Sequence, residues 1–256
     1  MNTDKTKSLF ASWFYPCSSV FIRGPIVLMC FSQYTTRMRR LVWGLAFLSC
    51  SLIWAQGVHP ITGRQYAGVM SADGAPWLTR PEREEEEQPD QALHDIGIVK
   101  GSTVADIGAG SGAITWRLAE RVGPKGKVYA VDIQQRMLDL LRQNMAKRKI
   151  TNFETVLDTA DDPKLPRASV DLELLIDVYH EFSHPQEMLR HLREALKPGG
   201  RLVLLEYRAE DPAVKIRPEH KMSVAMVKAE VEPEGFHLDK TIETLPQQHI
   251  LIFTVK

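Results

Sequence analysis

The stretch Val104-Ala-Asp-Ile-Gly-Ala-Gly-Ser-Gly112 joins a short apolar segment to three glycines at alternate positions. The apolar segment, 103–107, is typical of a buried strand, and apolar residues recur at helical spacing after the glycines. A helix is therefore predicted to begin at Ser111. Glycine lets the backbone bend sharply and approach a ligand where a Cβ atom would clash. Because the N–H groups at a helix start are free to bind ligand oxygens, the stretch predicts a nucleotide-cofactor site.

Two acidic residues flank this stretch. Asp132 ends a second predicted strand, 127–131, and lies 20 residues after Gly112, where a carboxylate can accept hydrogen bonds from ribose hydroxyls. Asp106 lies two residues before Gly108, at the end of the first strand. The register of both acids with the glycines favours a cofactor site over an ordinary turn between a strand and a helix.

The glycine pattern alone allows two kinds of cofactor. With Ala113 in the last position it also fits the looser dinucleotide fingerprint of NAD(P) enzymes. Asp106 favours the other kind, because a carboxylate suits the cationic amino-acid end of S-adenosylmethionine and repels a pyrophosphate.

Five segments together resemble the class I S-adenosylmethionine-dependent methyltransferases, over about residues 96–256. The first, DIGAGSG at 106–112, is similar to that family's glycine motif. The other four are VYAVDI (128–133), ADDPKLP (160–166), VDLELLIDVYHEF (170–182) and LKPGGRLVLLEY (196–207). The resemblance implies that S-adenosyl-L-methionine is the cofactor. It also implies a cofactor-binding set, which comprises Asp106, Gly108, Gly110, Gly112, Asp132, Ile133, Asp161 and Asp177.

Within that set the resemblance implies individual roles. Ile133 would pack on the adenine ring, and Asp161 would accept a hydrogen bond from the adenine amine, with Asp162 as a close competitor. Asp177 would face the methionine end of the cofactor or the acceptor. In an open parallel sheet the ligand lies beyond the carboxyl ends of the strands, where all of these residues occur.

Strands and helices alternate after residue 96, which predicts an α/β fold with a doubly wound, mostly parallel sheet. Seven strands are expected, and the last two resemble the antiparallel C-terminal hairpin of methyltransferases. The predicted strands are 103–107, 127–131, 153–157, 170–176, 201–207, 236–244 and 250–255. Helices are predicted near 91–100, around 137–145, at 185–196 and at 221–232.

Charge and cysteine content restrict the possible functions of this domain. The chain has no net charge, but residues 56–256 hold 26 Lys/Arg against 31 Asp/Glu. A mildly acidic body is expected to bind no nucleic acid. The three cysteines, Cys17, Cys30 and Cys50, all precede this body. It therefore lacks the catalytic cysteines that the resemblance would require of an arsenite methyltransferase.

The N-terminal residues are expected to lie outside the fold. Met38-Arg-Arg40 precedes the apolar run 41–54, and the pattern of 38–55 is typical of a secretory signal peptide. Residues 1–37 are interpreted as a non-native or disordered extension before the natural start. The protein is then exported or associated with a membrane through this segment. It is cytoplasmic if the segment is not used, and an uncleaved anchor is the alternative.

Residues 56–95 are interpreted as an N-terminal segment that wraps the surface, although they could also cap the site. The acidic run PEREEEEQPD at 81–90 is typical of a solvated linker or helix start.

Methyl transfer requires a positioned acceptor and, for some acceptors, a base that removes its proton. His180 follows the predicted fourth strand, and its side chain titrates near neutrality, so it is the candidate base. The alternative to a catalytic base is a loop histidine that donates a hydrogen bond to a backbone carbonyl. Glu181 could orient His180 or pair with an arginine, and Tyr207 ends the predicted fifth strand in a polar run. These three residues are the catalytic candidates.

His180-Glu-Phe-Ser-His184 also matches the H-E-x-x-H signature of zinc proteases. That chemistry needs both histidines on one helical face, whereas here the motif follows a strand and Pro185 disfavours helix at His184. No metal is expected from this motif. The sequence therefore predicts methyl transfer to a small-molecule or lipid-like acceptor. An NAD(P)-dependent oxidoreductase and an exported, non-catalytic ligand-binding domain of the same fold remain the alternatives.

Overall fold

A computed structural model of the protein describes residues 57–256. The interpretations of 1–37 as an extension and of 38–55 as a signal peptide lie outside the described residues. Within residues 57–256, no helix has both the length and the apolar character needed to cross a bilayer.

The centre of the described structure is one mixed sheet. Its strands are β1 (Thr103–Ile107), β2 (Lys127–Asp132), β3 (Phe153–Leu157), β4 (Val170–Ile176), β5 (Leu196–Arg208), β6 (Lys221–Met222), β7 (Phe236–Ile242) and β8 (Gln248–Val255). The seven longer strands lie in the order β3-β2-β1-β4-β5-β8-β7, and β6 adds two residues beside the end of β5. β1 to β5 are parallel, whereas β8 pairs antiparallel with both β5 and β7. The predicted doubly wound sheet with its antiparallel C-terminal hairpin is therefore confirmed.

Six α-helices lie within the described residues. They are α1 (Arg83–Glu86), α2 (Pro89–Ile96), α3 (Thr115–Val122), α4 (Gln135–Arg148), α5 (Pro185–Ala195) and α6 (Val224–Val231). Helices α2, α3 and α4 cover one face of the sheet, and α5 and α6 cover the other. The strands are nearly continuous in apolar residues because both faces are buried. Local signals fix the ends, such as Pro89 at the start of α2 and Gly97, in a left-handed conformation, after its last residue.

Several expected boundaries differ from the structure, and three of these differences have a local explanation. Helix α3 begins at Thr115 rather than at Ser111, because the third glycine closes a turn in which the Gly112 N–H donates to the Ala109 carbonyl at 2.9 Å. Strand β5 begins at Leu196, which pairs with Val170 of β4, and the pairing resumes at Arg201 after an irregularity that contains 197–200. The helix predicted over 221–232 is preceded by β6 and shortened to Val224–Val231, where the Ser223 hydroxyl accepts the Met226 N–H at 3.1 Å.

Residues 57–95 pack against the rest of the described fold. Arg83 and Glu87, inside the acidic run, are 8% and 4% exposed. A 3₁₀ helix at Ala72–Thr79 packs beside α4, and the segment before it reaches α6. This segment also contacts the glycine loop, as described below.

Candidate active site

The glycine stretch forms a tight loop at the carboxyl end of β1. Gly108, Gly110 and Gly112 have φ angles of +71°, +52° and +85°, which disfavour other residues. A Cβ atom on Gly108 would lie 2.4 Å from the Val178 Cγ2 atom, and one on Gly110 would lie 2.7 Å from the Leu78 Cδ1 atom. The three glycines therefore allow both a left-handed backbone and close packing around the loop.

Asp132 is fixed against this loop by two backbone donors. The Gly110 N–H donates to Oδ2 and the Gln134 N–H donates to Oδ1, both at 2.8 Å. Burial raises the pKa of Asp132, and the two amides oppose that shift. Each carboxylate oxygen keeps a further lone pair, so Asp132 can still accept hydrogen bonds from a diol.

Asp106 lies below the loop and is 3% exposed. The Thr115 hydroxyl donates to its Oδ2 atom at 2.6 Å. Burial raises the pKa of Asp106 to about 6, although Thr115 and the Arg83 guanidinium partly oppose the shift. Asp106 therefore links the end of β1 to the first residue of α3 through Thr115. Its carboxyl group is mostly protonated below about pH 6.

The structure separates the acids that follow β3. Asp161 is exposed and its Oδ1 accepts the Thr159 hydroxyl at 2.7 Å, while Asp162 accepts from Lys164 in a surface turn. Asp158 instead lies against the end of β2, where its N–H donates to the Asp132 carbonyl at 3.3 Å. Its Oδ1 atom is buried without a hydrogen-bond partner. Burial, with the nearby Asp132 charge, raises the pKa of Asp158 to about 7.

Two apolar side chains next to these acids are exposed to solvent. Ile133 is 42% exposed at the end of β2, and Leu157 is 49% exposed at the end of β3. Together with the unpaired Asp158 oxygen and the fixed Asp132 carboxylate, they fit an adenosyl group, which needs an apolar surface for its base and acceptors for its amine and ribose.

A second polar cluster lies beyond β4 and β5. His180 is 2% exposed in the 3₁₀ turn Tyr179–Glu181, and its Nδ1 lies 2.6 Å from the Glu206 Oε2. Its Nε2 lies 3.1 Å from the Nδ1 of His220, so both ring nitrogens are engaged. Burial lowers the pKa of His180, but the charge and hydrogen bond of Glu206 outweigh it and raise the pKa overall.

Glu181 completes this cluster and links it to the cofactor side. One ligand-type atom from each of His180, Glu181 and His220 lies within 4.8 Å of the other two. Burial raises the pKa of Glu181 to about 7; His180 opposes this shift, and the Glu206 and Asp132 charges add to it. Because the Asp132 charge acts on Glu181, the cluster and the end of β2 lie near the same edge of the sheet. We call His180, Glu181 and His220 the histidine cluster.

Asp177 and Tyr207 lie apart from the histidine cluster. The Gln248 amide donates to both Asp177 carboxylate oxygens, at 2.8 and 2.7 Å. The Tyr207 hydroxyl donates to the Glu87 Oε1 at 3.0 Å. Successive side chains of a strand point to opposite faces, so Glu206 reaches His180 while Tyr207 points away from it. The structure thus groups His180 with Glu181, but it does not bring Tyr207 to them.

The N-terminal segment holds the histidine cluster in place. The Arg64 Nη1 and the Ala67 N–H both donate to the His180 carbonyl at 3.0 Å. Arg64 is anchored in turn by Glu230 of α6, with its Nε 2.9 Å from Oε1, and both side chains are nearly inaccessible. On the cofactor side, the Gln134 amide donates to the Met70 carbonyl at 2.7 Å.

Sequence reasoning missed part of this arrangement. Asp158 is the first residue after β3, so the strand-end rule includes it, but the resemblance drew attention to Asp161. The sequence does not place His220 beside His180, because their contact spans 40 residues. Glu206 was one of several polar residues in a run, and the alternation of β5 could have separated it from Tyr207.

Comparison with known proteins agrees with this geometry. A family model described as a methyltransferase domain matches residues 98–246. The ubiquinone/menaquinone biosynthesis C-methyltransferase UbiE of Ectopseudomonas mendocina is 32% identical over 112 residues, which cover 43% of this chain and 44% of the relative. The UbiE of Pseudomonas fluorescens is 32% identical over 117 residues, covering 45% and 46%. The matched region thus spans less than half of these relatives.

Solved structures share the fold over a longer region. An S-adenosylmethionine-dependent methyltransferase from Aquifex aeolicus is 26% identical with a TM-score of 0.70, covering 73% of this chain and all of that one. The O-methyltransferase NcsB1 from neocarzinostatin biosynthesis, solved with S-adenosyl-L-homocysteine and 1,4-dihydroxy-2-naphthoic acid, shares the fold at 16% identity. Its TM-score is 0.60, and the match covers 72% of this chain and 58% of NcsB1.

Proposed function

The chain belongs to the class I S-adenosylmethionine-dependent methyltransferases, and we propose on that premise that it methylates a small-molecule acceptor at the histidine cluster. The cofactor is S-adenosyl-L-methionine. The two alternatives, an NAD(P)-dependent oxidoreductase and a non-catalytic binding domain, are not favoured, because the matching family and the similar structures are methyltransferases.

The cofactor side of the site follows from the strand ends. The Asp132 carboxylate would bind the ribose hydroxyls, Ile133 would pack on the adenine, and Asp158 is a better placed acceptor for the adenine amine than Asp161. When bound, the cofactor supplies a methyl group already activated by the sulfonium charge. The protein then has to hold the acceptor atom in line with that methyl group.

The observation that carries the proposal is the histidine cluster at the same sheet edge. Three titratable side chains converge there, and the pKa of Glu181 is raised to about 7. Groups that titrate near the working pH are suited to removing a proton from an acceptor. His180 is positioned by Glu206, and Glu181, the less buried of the two, is the more accessible to an acceptor.

The acceptor class is proposed from the curated relatives. UbiE is a C-methyltransferase of ubiquinone and menaquinone biosynthesis. An acceptor with a hydroxylated aromatic ring agrees with a cluster that can remove a phenolic proton, since a phenolate activates both its oxygen and its ring carbons. We extend this to small hydroxylated aromatic compounds and not to a named quinone, because the match covers less than half of those relatives.

Methyl transfer can be measured directly. Full-length protein is incubated with methyl-labelled S-adenosylmethionine and a panel of phenols, hydroxynaphthoates and quinols, and the products are identified by mass spectrometry. We expect labelled product from at least one hydroxylated aromatic, with a rate at least tenfold lower in Glu181→Gln. Arg167→Met, on the exposed surface, is the matched control. Cofactor binding without transfer to any member of the panel would contradict this acceptor class.

Export or membrane association through 38–55 is also a proposal, supported by the signal-like pattern of those residues. Mass spectrometry of the native N-terminus checks it. A mature protein that starts after residue 55 is expected, and a peptide from 1–37 would contradict it.

A further inference from the structure

The histidine cluster has features that proton transfer alone does not require. His180 and His220 present two imidazole nitrogens to each other at 3.1 Å, with the Glu181 carboxylate beside them. We infer that His180, Glu181 and His220 form a binding site for one divalent transition-metal cation. This inference rests on the proposed function and deepens it, because it names the chemistry by which the cluster would hold an acceptor oxygen.

The nitrogen spacing already matches that of a metal site. Imidazole nitrogens lie about 2.0–2.1 Å from a divalent metal such as zinc. Two such ligands on one ion are therefore separated by about 2.8–3.4 Å for angles between a right angle and the tetrahedral value. The Nε2 of His180 and the Nδ1 of His220 fall inside that range, so the rings need little movement. The Glu181 carboxylate, within 4.8 Å, would approach by rotation of its side chain.

Glu206 supports the same reading. Metal-binding histidines usually donate their other ring N–H to a carboxylate, which fixes the tautomer and makes the ligating nitrogen more basic. The Glu206 Oε2 lies 2.6 Å from the Nδ1 of His180, and the side chain of Glu206 is fully buried. His180 is thereby held with its Nε2 directed at His220. The structure presents the order carboxylate, His180, His220, and a cation held between the two rings would complete the order carboxylate to histidine to metal.

The donor set also limits the metal and the ligand. Two imidazoles and one carboxylate suit first-row ions such as Zn²⁺, Fe²⁺ and Co²⁺ better than Mg²⁺ or Ca²⁺, which prefer oxygen. Three protein ligands leave at least one coordination position open, as in catalytic metal sites. An acceptor with a hydroxyl group could occupy it, and the cation would stabilise that group as an oxyanion next to the cofactor.

The proposed site uses His220 as a ligand where the H-E-x-x-H motif would use His184, and this difference can be tested. His184 is exposed at the start of α5, and its Nδ1 is paired with the Ser183 hydroxyl at 3.0 Å. It therefore lies outside the cluster, whereas the zinc-protease motif requires it as a ligand. His220 comes from a loop 40 residues away and has no place in that motif.

Metal binding can be measured without any acceptor or cofactor. Tag-free full-length protein is treated with a chelator and dialysed, and Zn²⁺ is titrated against a competing indicator. One equivalent is expected to bind, and Co²⁺ in its place should give visible absorption bands of a nitrogen-coordinated site. His220→Ala and His220→Gln should each weaken Zn²⁺ binding by at least about tenfold, and Glu206→Gln by a similar factor. His184→Gln is the matched control and should bind like the wild type.

The outcomes separate this inference from the proposed function. Circular dichroism and S-adenosylhomocysteine binding show that each variant is folded. No stoichiometric Zn²⁺ in the wild type, or unchanged binding in both His220 variants, would overturn the metal site while leaving methyl transfer intact. Loss of binding in His184→Gln would overturn it in favour of the protease-type motif. Zn²⁺ binding without methyl transfer would instead contradict the proposed function.

Discussion

At the residue scale, we propose that Asp158 rather than Asp161 contacts the adenine end of the cofactor. Asp158 has a buried carboxylate oxygen without a partner, beside Asp132, whereas Asp161 is exposed and bound to Thr159. We expect Asp158→Asn to weaken S-adenosylmethionine binding about tenfold, the effect of about 1.4 kcal/mol from one hydrogen bond. Asp161→Asn should change it less than twofold. Isothermal titration calorimetry of both variants measures this, and the reverse order would favour the assignment implied by the sequence.

Gly108 is required for two separable reasons. It shares a φ angle of +71° with Gly97, but a Cβ atom on Gly108 would meet Val178, whereas one on Gly97 would meet nothing within 4 Å. Gly97→Ala should therefore cost only the backbone strain, about 1–2 kcal/mol. Gly108→Ala should cost about 1–3 kcal/mol more because of overpacking. Urea unfolding measures both, and equal costs would show that Val178 moves aside without penalty.

The buried carboxyl group of Asp106, next to the glycine loop, makes the stability of the fold depend on pH. Folded Asp106 stays protonated up to about pH 6, while an unfolded aspartate ionises near 3.8. The folded state then binds more protons between these values, so its unfolding free energy falls as pH rises through that window. Relative to Asp106→Asn, the wild type should lose about 2 kcal/mol from pH 4 to pH 6.5 and change little above it.

Asp90 is the opposite case and serves as the control for this titration. The Arg121 hydrogen bond lowers the pKa of Asp90, although partial burial opposes that shift. Its contribution is therefore present above pH 4 and lost as pH falls below it. The difference in unfolding free energy between the wild type and Asp90→Asn should therefore increase as the pH rises, opposite to the trend for Asp106→Asn. A flat difference for Asp106→Asn between pH 4 and 6.5 would show that Asp106 is ionised in the folded state.

Sequence patterns specified the elements better than their ends. Strands β1, β3 and β4 lie at their expected positions because their apolar residues are bounded by Gly, Pro and acidic residues. The start of α3 was misplaced because Ser111 resembles a cap, while the actual turn depends on the Gly112 N–H finding the Ala109 carbonyl. The burial of Arg83 and Glu87 does not follow from the sequence pattern, because it depends on the Leu78 carbonyl in the preceding 3₁₀ helix and on the Tyr207 hydroxyl of β5.

The segment before α1 is an element whose role can be tested through the ion pair between Arg64 and Glu230. Arg64 binds both Glu230 and the His180 carbonyl, so Arg64→Met leaves the Glu230 carboxylate buried without its partner. We expect a loss of about 3–5 kcal/mol in stability and a lower methyl-transfer rate. Cofactor affinity should change less than twofold, because the cofactor side has its own contacts through Met70 and Gln134.

Two further variants calibrate this prediction. Arg167→Met breaks the exposed pair with Glu194 and should cost less than about 1 kcal/mol. The double variant Arg64→Met/Glu230→Gln removes the buried charge and should recover part of the stability without restoring the rate. Chemical unfolding and steady-state kinetics give both quantities. A rate that recovers together with stability would assign Arg64 a purely structural role.

At the scale of the whole molecule, the proposed cofactor site can be predicted from the sequence, whereas the proposed acceptor site cannot. Asp106, the glycines and Asp132 are close in sequence and follow consecutive strands, so topology alone brings them together. His180, Glu206 and His220 meet only because β5 lies beside β4 and the loop after β5 folds back over the strand end. No periodicity in the sequence encodes that return.

Binding of the cofactor at the edge formed by the glycine loop and Asp132 is the central claim. Calorimetric titration of the full-length protein with S-adenosylmethionine, beside the Asp132→Ala variant, tests it most directly. The wild type should release heat with one site per chain, and Asp132→Ala should bind at least tenfold more weakly, because it loses hydrogen bonds from a charged acceptor. No heat from the wild type, or equal affinity in the variant, would contradict the account.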